Sequence, residues 1–139
     1  MRLVITEPIR LILDQDSIVS VRAEDASGGF GILEGHADLL TVLPPSVVTW
    51  RCEDGRVEHC AVRNGVLAVR QGNMVSIAAR EAQRGATLDT LTHAVVKRFR
   101  EDEEAERAAR VASVRLHTQA IRKIVAALAG NHENTGLTQ

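Results

Sequence analysis

The sequence predicts an antiparallel β-sandwich or barrel over residues 1–86, followed by a helical segment over residues 87–130. Three observations lead there. Short alternating apolar runs fill the first part, and glycine turn signals punctuate them. The composition then changes after Gly85: from Leu88 to Leu128 there is neither Gly nor Pro, and Ala, Arg and Glu become frequent. Finally, the apolar spacing shifts from period two to helical period.

The elements follow in order. Residues 17–24 alternate and carry β-branched side chains, as a half-buried strand does. Residues 47–52 and 57–62 flank Asp54-Gly55, a two-residue hairpin signal. Asn64-Gly65 leads to residues 66–70, and Gln71-Gly72-Asn73 to residues 74–79, which extends the reading to a meander. With a two-residue turn at Asp54-Gly55, Cys52 faces Val57 and Cys60 faces Thr49. The two thiols then point to opposite faces and cannot bridge. Thr87 or Asp89 caps the first helix, and Leu88, Leu91, Val95 and Phe99 recur at helical spacing. A second stripe comprises Val111, Val114, Ile121, Val125 and Leu128, and His117 falls on the stripe with Ile121 and Ile124 as a packing or interface residue. The stripe vanishes over residues 100–107. The pattern therefore reads as two helices with a break near residues 101–106. One long helix is the alternative, because no turn residue marks the break. Residues 131–139 read as a flexible polar tail.

Composition excludes several function classes. The 139 residues are 45% hydrophobic and 25% charged, as in a globular protein rather than a disordered one. The net charge of -1 and only three aromatic residues argue against a nucleic-acid binder. No apolar run approaches the roughly 18–20 residues that span a bilayer. The N-terminal apolar run is too short, and too soon acidic, for a signal peptide. Gly29, Gly31 and Gly35 miss the dinucleotide fingerprint by one residue. No phosphate loop or activated nucleophile is present, so no catalytic residue is assigned. His36, Asp38 and His59 are the metal candidates. Nothing in the sequence brings His59 to the other two, so no metal and no cofactor is expected.

One stretch is more specific. Residues 30–43, FGILEGHADLLTVL, resemble the G-x-x-G-[IV]-L-P-G-H-A-P-L-L-T-x-L signature of the epsilon subunit of F-type ATP synthases. The register continues through Pro45-Ser46-Val47-Val48, residues 62–69, residues 75–82 and Leu88-Asp89. The resemblance implies a sandwich of about ten strands and a C-terminal helical hairpin. It implies a non-catalytic rotor subunit of a proton- or sodium-translocating synthase, at the cytoplasmic face of the bacterial inner membrane. Gamma and the c-ring are the implied partners, with transient contact to alpha and beta and without membrane insertion. It places Gly29, Phe30, Gly31, Glu34, His36 and Asp38 toward the c-ring, and it lets the helices inhibit ATP hydrolysis. Arg110, Arg115, Arg122 and Lys123 are the residues suited to meet beta. The alternative function is a free-standing sandwich adaptor.

The departures carry expectations of their own. Glu34 and Asp38 replace two prolines of the signature and add negative charge to its tip. Some epsilon subunits bind ATP through [IL]-D-x-x-R-A at the first helix. Leu88 and Asp89 fit, but Thr92 and His93 stand where arginine and alanine belong. Loss of the guanidinium fork predicts no specific ATP binding.

Overall fold

The computed structural model describes the backbone of residues 1–137 and the surroundings of side chains 1–130. Ten strands come first: β1 (Arg2–Glu7), β2 (Arg10–Gln15), β3 (Ile18–Asp25), β4 (Gly28–Leu33), β5 (Leu39–Leu43), β6 (Ser46–Cys52), β7 (Val57–Arg63), β8 (Gly65–Arg70), β9 (Met74–Ala78) and β10 (Glu81–Gly85). They form two five-stranded sheets, in the orders β2-β1-β9-β8-β5 and β10-β7-β6-β3-β4. Neighbouring strands are antiparallel except for the parallel pair β1 and β9. Period-two alternation supplies one apolar face per sheet. Leu3, Ile5, Leu43, Leu67, Val75 and Ile77 from the first sheet pack with Val21, Ile32, Val48, Trp50, Cys60 and Val62 from the second.

The ten-strand sandwich agrees with expectation, whereas several local connections differ. The Asp54-Gly55 hairpin is real, but its loop holds three residues. Gly55 N–H donates to the Cys52 carbonyl (3.0 Å) and Cys52 N–H to the Arg56 carbonyl (2.8 Å). Gly55 takes φ +88°, so the turn is a bulged one. The register therefore slips by one: Cys60 faces Val48 and Arg51 faces Val57. Cys52 and Cys60 consequently share the core face rather than opposing each other. They stay apart because four residues of strand, about 13 Å, separate them along the sheet. Both are free and buried. Asn64-Gly65, by contrast, is not a hairpin. Asn64 does adopt φ +53°, but the turn carries the chain from β7 in one sheet to β8 in the other.

After β10 come a single helical turn, α1 (Leu88–Thr90), a π-helical stretch over Leu91–Val96, and α2 (Lys97–Leu137). Thr87 is the cap: its Oγ1 accepts from Thr90 N–H (3.3 Å). The expected helical hairpin is replaced by one continuous helix through residues 101–106, the second of the two sequence readings. The physical reason is local: Glu, Arg and Ala are strong helix formers, and no Gly or Pro interrupts them. The chain divides into two compact units, Met1–Arg100 and Glu101–Gln139. The first reaches past residue 86 because Leu91, Val95, Val96 and Phe99 bury themselves on Ala61 and Val47, on the outward side of the second sheet. Leu88, expected in that stripe, is exposed. The tail expected over residues 131–139 lies outside the described side chains.

Candidate functional site

Two surfaces carry the residues singled out above. The first is built on β4, an edge strand of the second sheet. Gly29 pairs with Glu24, Phe30 with Ala23 and Gly31 with Arg22. Gly29 and Gly31 are exposed, whereas Phe30 packs partly against the core. Glu34 follows on the surface, and Leu33 beside it is 62% exposed.

The loop from Glu34 to Asp38 is held against the β8–β9 turn. Gly35 N–H donates to the Gly72 carbonyl (2.7 Å). The Asp38 carboxylate accepts from Gln71 N–H (3.0 Å). Gly72 has φ +69°, and a Cβ there would lie 2.9 Å from the Gly35 Cα, so this turn admits only glycine without rearrangement. His36 is half-buried, and its Nδ1 lies 2.6 Å from the Ala37 carbonyl. A carbonyl only accepts, so in this contact Nδ1 donates. Asp38 is thus a brace between two loops as well as an exposed charge. A second brace was not visible in the sequence. Asp25 accepts from Thr41 Oγ1 (2.8 Å), from Ser27 Oγ (2.5 Å) and from Ser27 N–H (2.9 Å), tying the β3–β4 turn to β5. The Ser27 hydroxyl first, then Thr41 and the Ser27 amide, hold its pKa below the ordinary 3.8.

His59 belongs elsewhere. It lies on β7, within 2.8 Å of Thr49 Oγ1 on β6. Among the described residues no group of three or more His, Cys, Asp or Glu is arranged to hold a metal.

The second surface is α2. Arg110, Arg115, Arg122 and Lys123 are all exposed. Val111, Val114, Thr118, Ile121, Val125 and Leu128 follow alternating steps of three and four, the spacing of a helix–helix seam. None of them is buried; Val114 is 65% and Leu128 64% exposed. His117, expected as a packing or interface residue, is exposed as well, so it does not pack within the chain. The Thr118 hydroxyl donates to the Val114 carbonyl (2.9 Å), so its polar atom is satisfied within the helix. From Arg107 to Gly130 there is no acidic residue. Thr92 and His93 are exposed on the π stretch, with Leu88 and Asp89 just before them.

A third surface escaped the sequence reading. On the outward face of the first sheet Leu40 and Val42 of β5 are 74% and 65% exposed, and they pair with Ala68 and Val66 of β8. Ala68 continues to Ser76 on β9. No charged side chain interrupts this group. Residues 39–43, LLTVL, show no alternation, so the sequence does not mark which side of β5 faces out.

Residues 1–85 match the beta-sandwich domain of the ATP synthase delta/epsilon chain. The chain belongs to that family. It is 42% identical over 121 residues to ATP synthase epsilon chain 2 of Cereibacter sphaeroides, covering 87% of this chain and 83% of that one. It is 43% identical over 125 residues to ATP synthase epsilon chain 2 of Paraburkholderia xenovorans, covering 90% of each. The fold is shared with a chain of the Euglena gracilis mitochondrial ATP synthase (TM-score 0.57, 23% identity, 68% of this chain and 61% of that one). It is also shared with a chain of the central stalk and c-ring of the Tetrahymena thermophila mitochondrial enzyme (TM-score 0.52, 17% identity, 76% and 95%). The epsilon-type chain described here is an accessory, non-catalytic subunit of the ATP synthase complex. No helix among the described residues is long and apolar enough to cross a membrane.

Proposed function

We propose that this epsilon-type subunit joins gamma to the c-ring through its sandwich and restrains ATP hydrolysis through α2. In this reading the uncharged face around Leu40, Val42 and Val66 receives gamma. The braced loop with Glu34, His36 and Asp38, together with Gly29, Phe30 and Gly31 on the adjoining edge strand, meets the polar loops of c. The complex sits at the cytoplasmic face of a bacterial inner membrane, with this subunit peripheral to it.

The observation that carries the inhibitory role is the exposed seam on α2. Six positions at helix-pairing spacing have no partner on the helix's own unit, and basic residues with no acid among them border the seam. Such a surface suits an acidic, partly apolar partner, and the acidic tip of a beta subunit has that character. Single exposed ion pairs contribute about 0–1 kcal/mol, so several must act together. The test is simultaneous replacement of Arg110, Arg115, Arg122 and Lys123 by Gln in the assembled complex. ATP hydrolysis should rise while the subunit still co-purifies with gamma. A cut after Arg100 should do the same, because it preserves the first compact unit, whereas a cut after Arg84 would strip the cover from Ala61. Unchanged hydrolysis in both would remove the inhibitory role. A cysteine at Gly29 or Glu34 should cross-link to the c-subunit loop; cross-linking only to alpha or beta would reverse the orientation.

A further inference from the structure

The seam on α2 has a register. Its residues alternate in steps of three and four, so Val111, Thr118 and Val125 fall at the a positions of a heptad and Val114, Ile121 and Leu128 at the d positions. A seam of this kind is completed by a second helix. In any solution of the protein the nearest candidate is a second copy of α2, and an exposed apolar stripe invites that pairing. The flanks of the seam bear on it. Arg115 and Arg122 occupy e, and Arg110 and His117 occupy g; all four are exposed. Side chains at e and g lie across from one another in a two-stranded coil and set the choice of partner.

The registers open to two copies can be taken in turn. In a parallel pair g faces e of the next heptad, so Arg110 meets the second copy's Arg115 and His117 meets its Arg122, each twice. In an antiparallel pair with full apolar overlap, Val111 meets Leu128, Val114 meets Val125 and Thr118 meets Ile121. That overlap also sets Arg115 beside the second copy's Arg122, again twice. A slide of one heptad sets Arg115 against Arg115 and carries Glu104 onto Leu128 and Arg107 onto Val125. A slide of two heptads does bring Glu101 to Arg122, an opposite pair. It also drives Glu104 onto Ile121 and Arg107 onto Thr118, which puts charges into the seam itself. None of these registers satisfies the seam and its flanks together. Like charges set against each other penalise the wrong partner more than any single contact rewards the right one.

We propose that Arg110, Arg115 and Arg122 are specificity residues that forbid α2 from pairing with a second copy of itself. They keep the free subunit monomeric although its seam is uncovered. The seam alone would accept the second copy, and the charges beside it refuse it. The assignment rests on register and charge within α2, and it stands whether or not α2 restrains ATP hydrolysis. The repulsion acts between exposed charges, so it is strongest at low ionic strength, where screening reaches least.

The experiment is sedimentation equilibrium of the isolated full-length subunit at low salt. The natural chain should be monomeric. The double variant Arg115→Glu/Arg122→Glu sets a carboxylate against Arg110 and His117 of the second copy in the parallel register. It should self-associate as a dimer at least about tenfold more tightly than the natural chain. Adding Ile121→Asp to the double variant breaks the seam at a d position and should return the chain to monomer. All three residues are exposed, so none of these changes removes a buried contact of the fold. A natural chain that is already dimeric at low salt would overturn the assignment, and that measurement needs no variant. A double variant no more associated than the natural chain would overturn it as well. So would a dimer that survives Ile121→Asp, because its contact would then lie away from the seam.

Discussion

The sandwich and the helix beyond Arg100 have similar supplies of apolar side chains and opposite uses for them. In the sandwich Leu3, Ile5, Val21, Ile32 and Leu67 are fully buried, and two sheets share each of those contacts. Beyond Arg100, Val111, Val114, Ile121, Val125 and Leu128 remain in solvent on their own unit. Burial on a second layer, not hydrophobicity alone, makes an apolar residue structural. A helix that keeps its seam uncovered is held by intrahelical hydrogen bonds and by helix propensity, and it stays available to a partner.

The sharpest way to test that contrast is to truncate one large side chain in each region. Trp50 is 1% exposed, and its Nε1–H donates to Glu58 (3.0 Å) while Arg84 lies 6.0 Å from its ring. Trp50→Ala should destabilise the sandwich by about 3–5 kcal/mol in urea unfolding. Ile121→Ala should change the same transition by less than about 0.5 kcal/mol, because it removes no buried contact. Equal effects would mean that the seam is already covered in the isolated chain.

A smaller effect is expected where the sandwich presents its loop. Gly72→Ala forces a Cβ against the Gly35 Cα and keeps an alanine at φ +69°. The cost should be about 1–3 kcal/mol. It should also loosen the loop from Glu34 to Asp38, read as faster amide exchange at Gly35. Loss of stability without faster exchange at Gly35 would separate the turn from the loop.

How much of this was legible in the sequence depends on how far apart the interacting residues lie. Alternation located the strands, and Asp54-Gly55 marked a hairpin. A local turn signal does not name the strand that will pair, however, and Asn64-Gly65 turned out to be a crossing between sheets. The absence of Gly and Pro over residues 88–128 already favoured an unbroken helix, against the gap in the apolar stripe. Leu91, Val95 and Phe99 fit α spacing, so nothing local announced the π winding or the burial of Val96. Of the candidate site, the loop residues were legible through their family resemblance. The braces were not: Asp38 reaches Gln71, and Asp25 reaches Thr41, through contacts that only the tertiary fold creates.

The mildest prediction concerns the second of those braces and acidity. Asp25 sits on the ordered side of the comparison, yet its carboxylate is at the surface, and three hydrogen bonds rather than burial lower its pKa. A carboxylate with a folded pKa below its unfolded value binds its proton more weakly in the native state. Its contribution is therefore complete above the ordinary value of 3.8 and fades as pH falls through the lower, folded value. Thr41→Val removes the bond that crosses from β3–β4 to β5 and leaves both Ser27 bonds in place. The natural chain should thus be more stable than the variant at neutral pH, and the gap between them should narrow as pH drops below about 4. Urea midpoints measured from pH 7 to pH 2 decide the matter. Parallel curves with a constant gap would mean that Thr41 contributes by packing, and that Asp25 is held by its own turn alone.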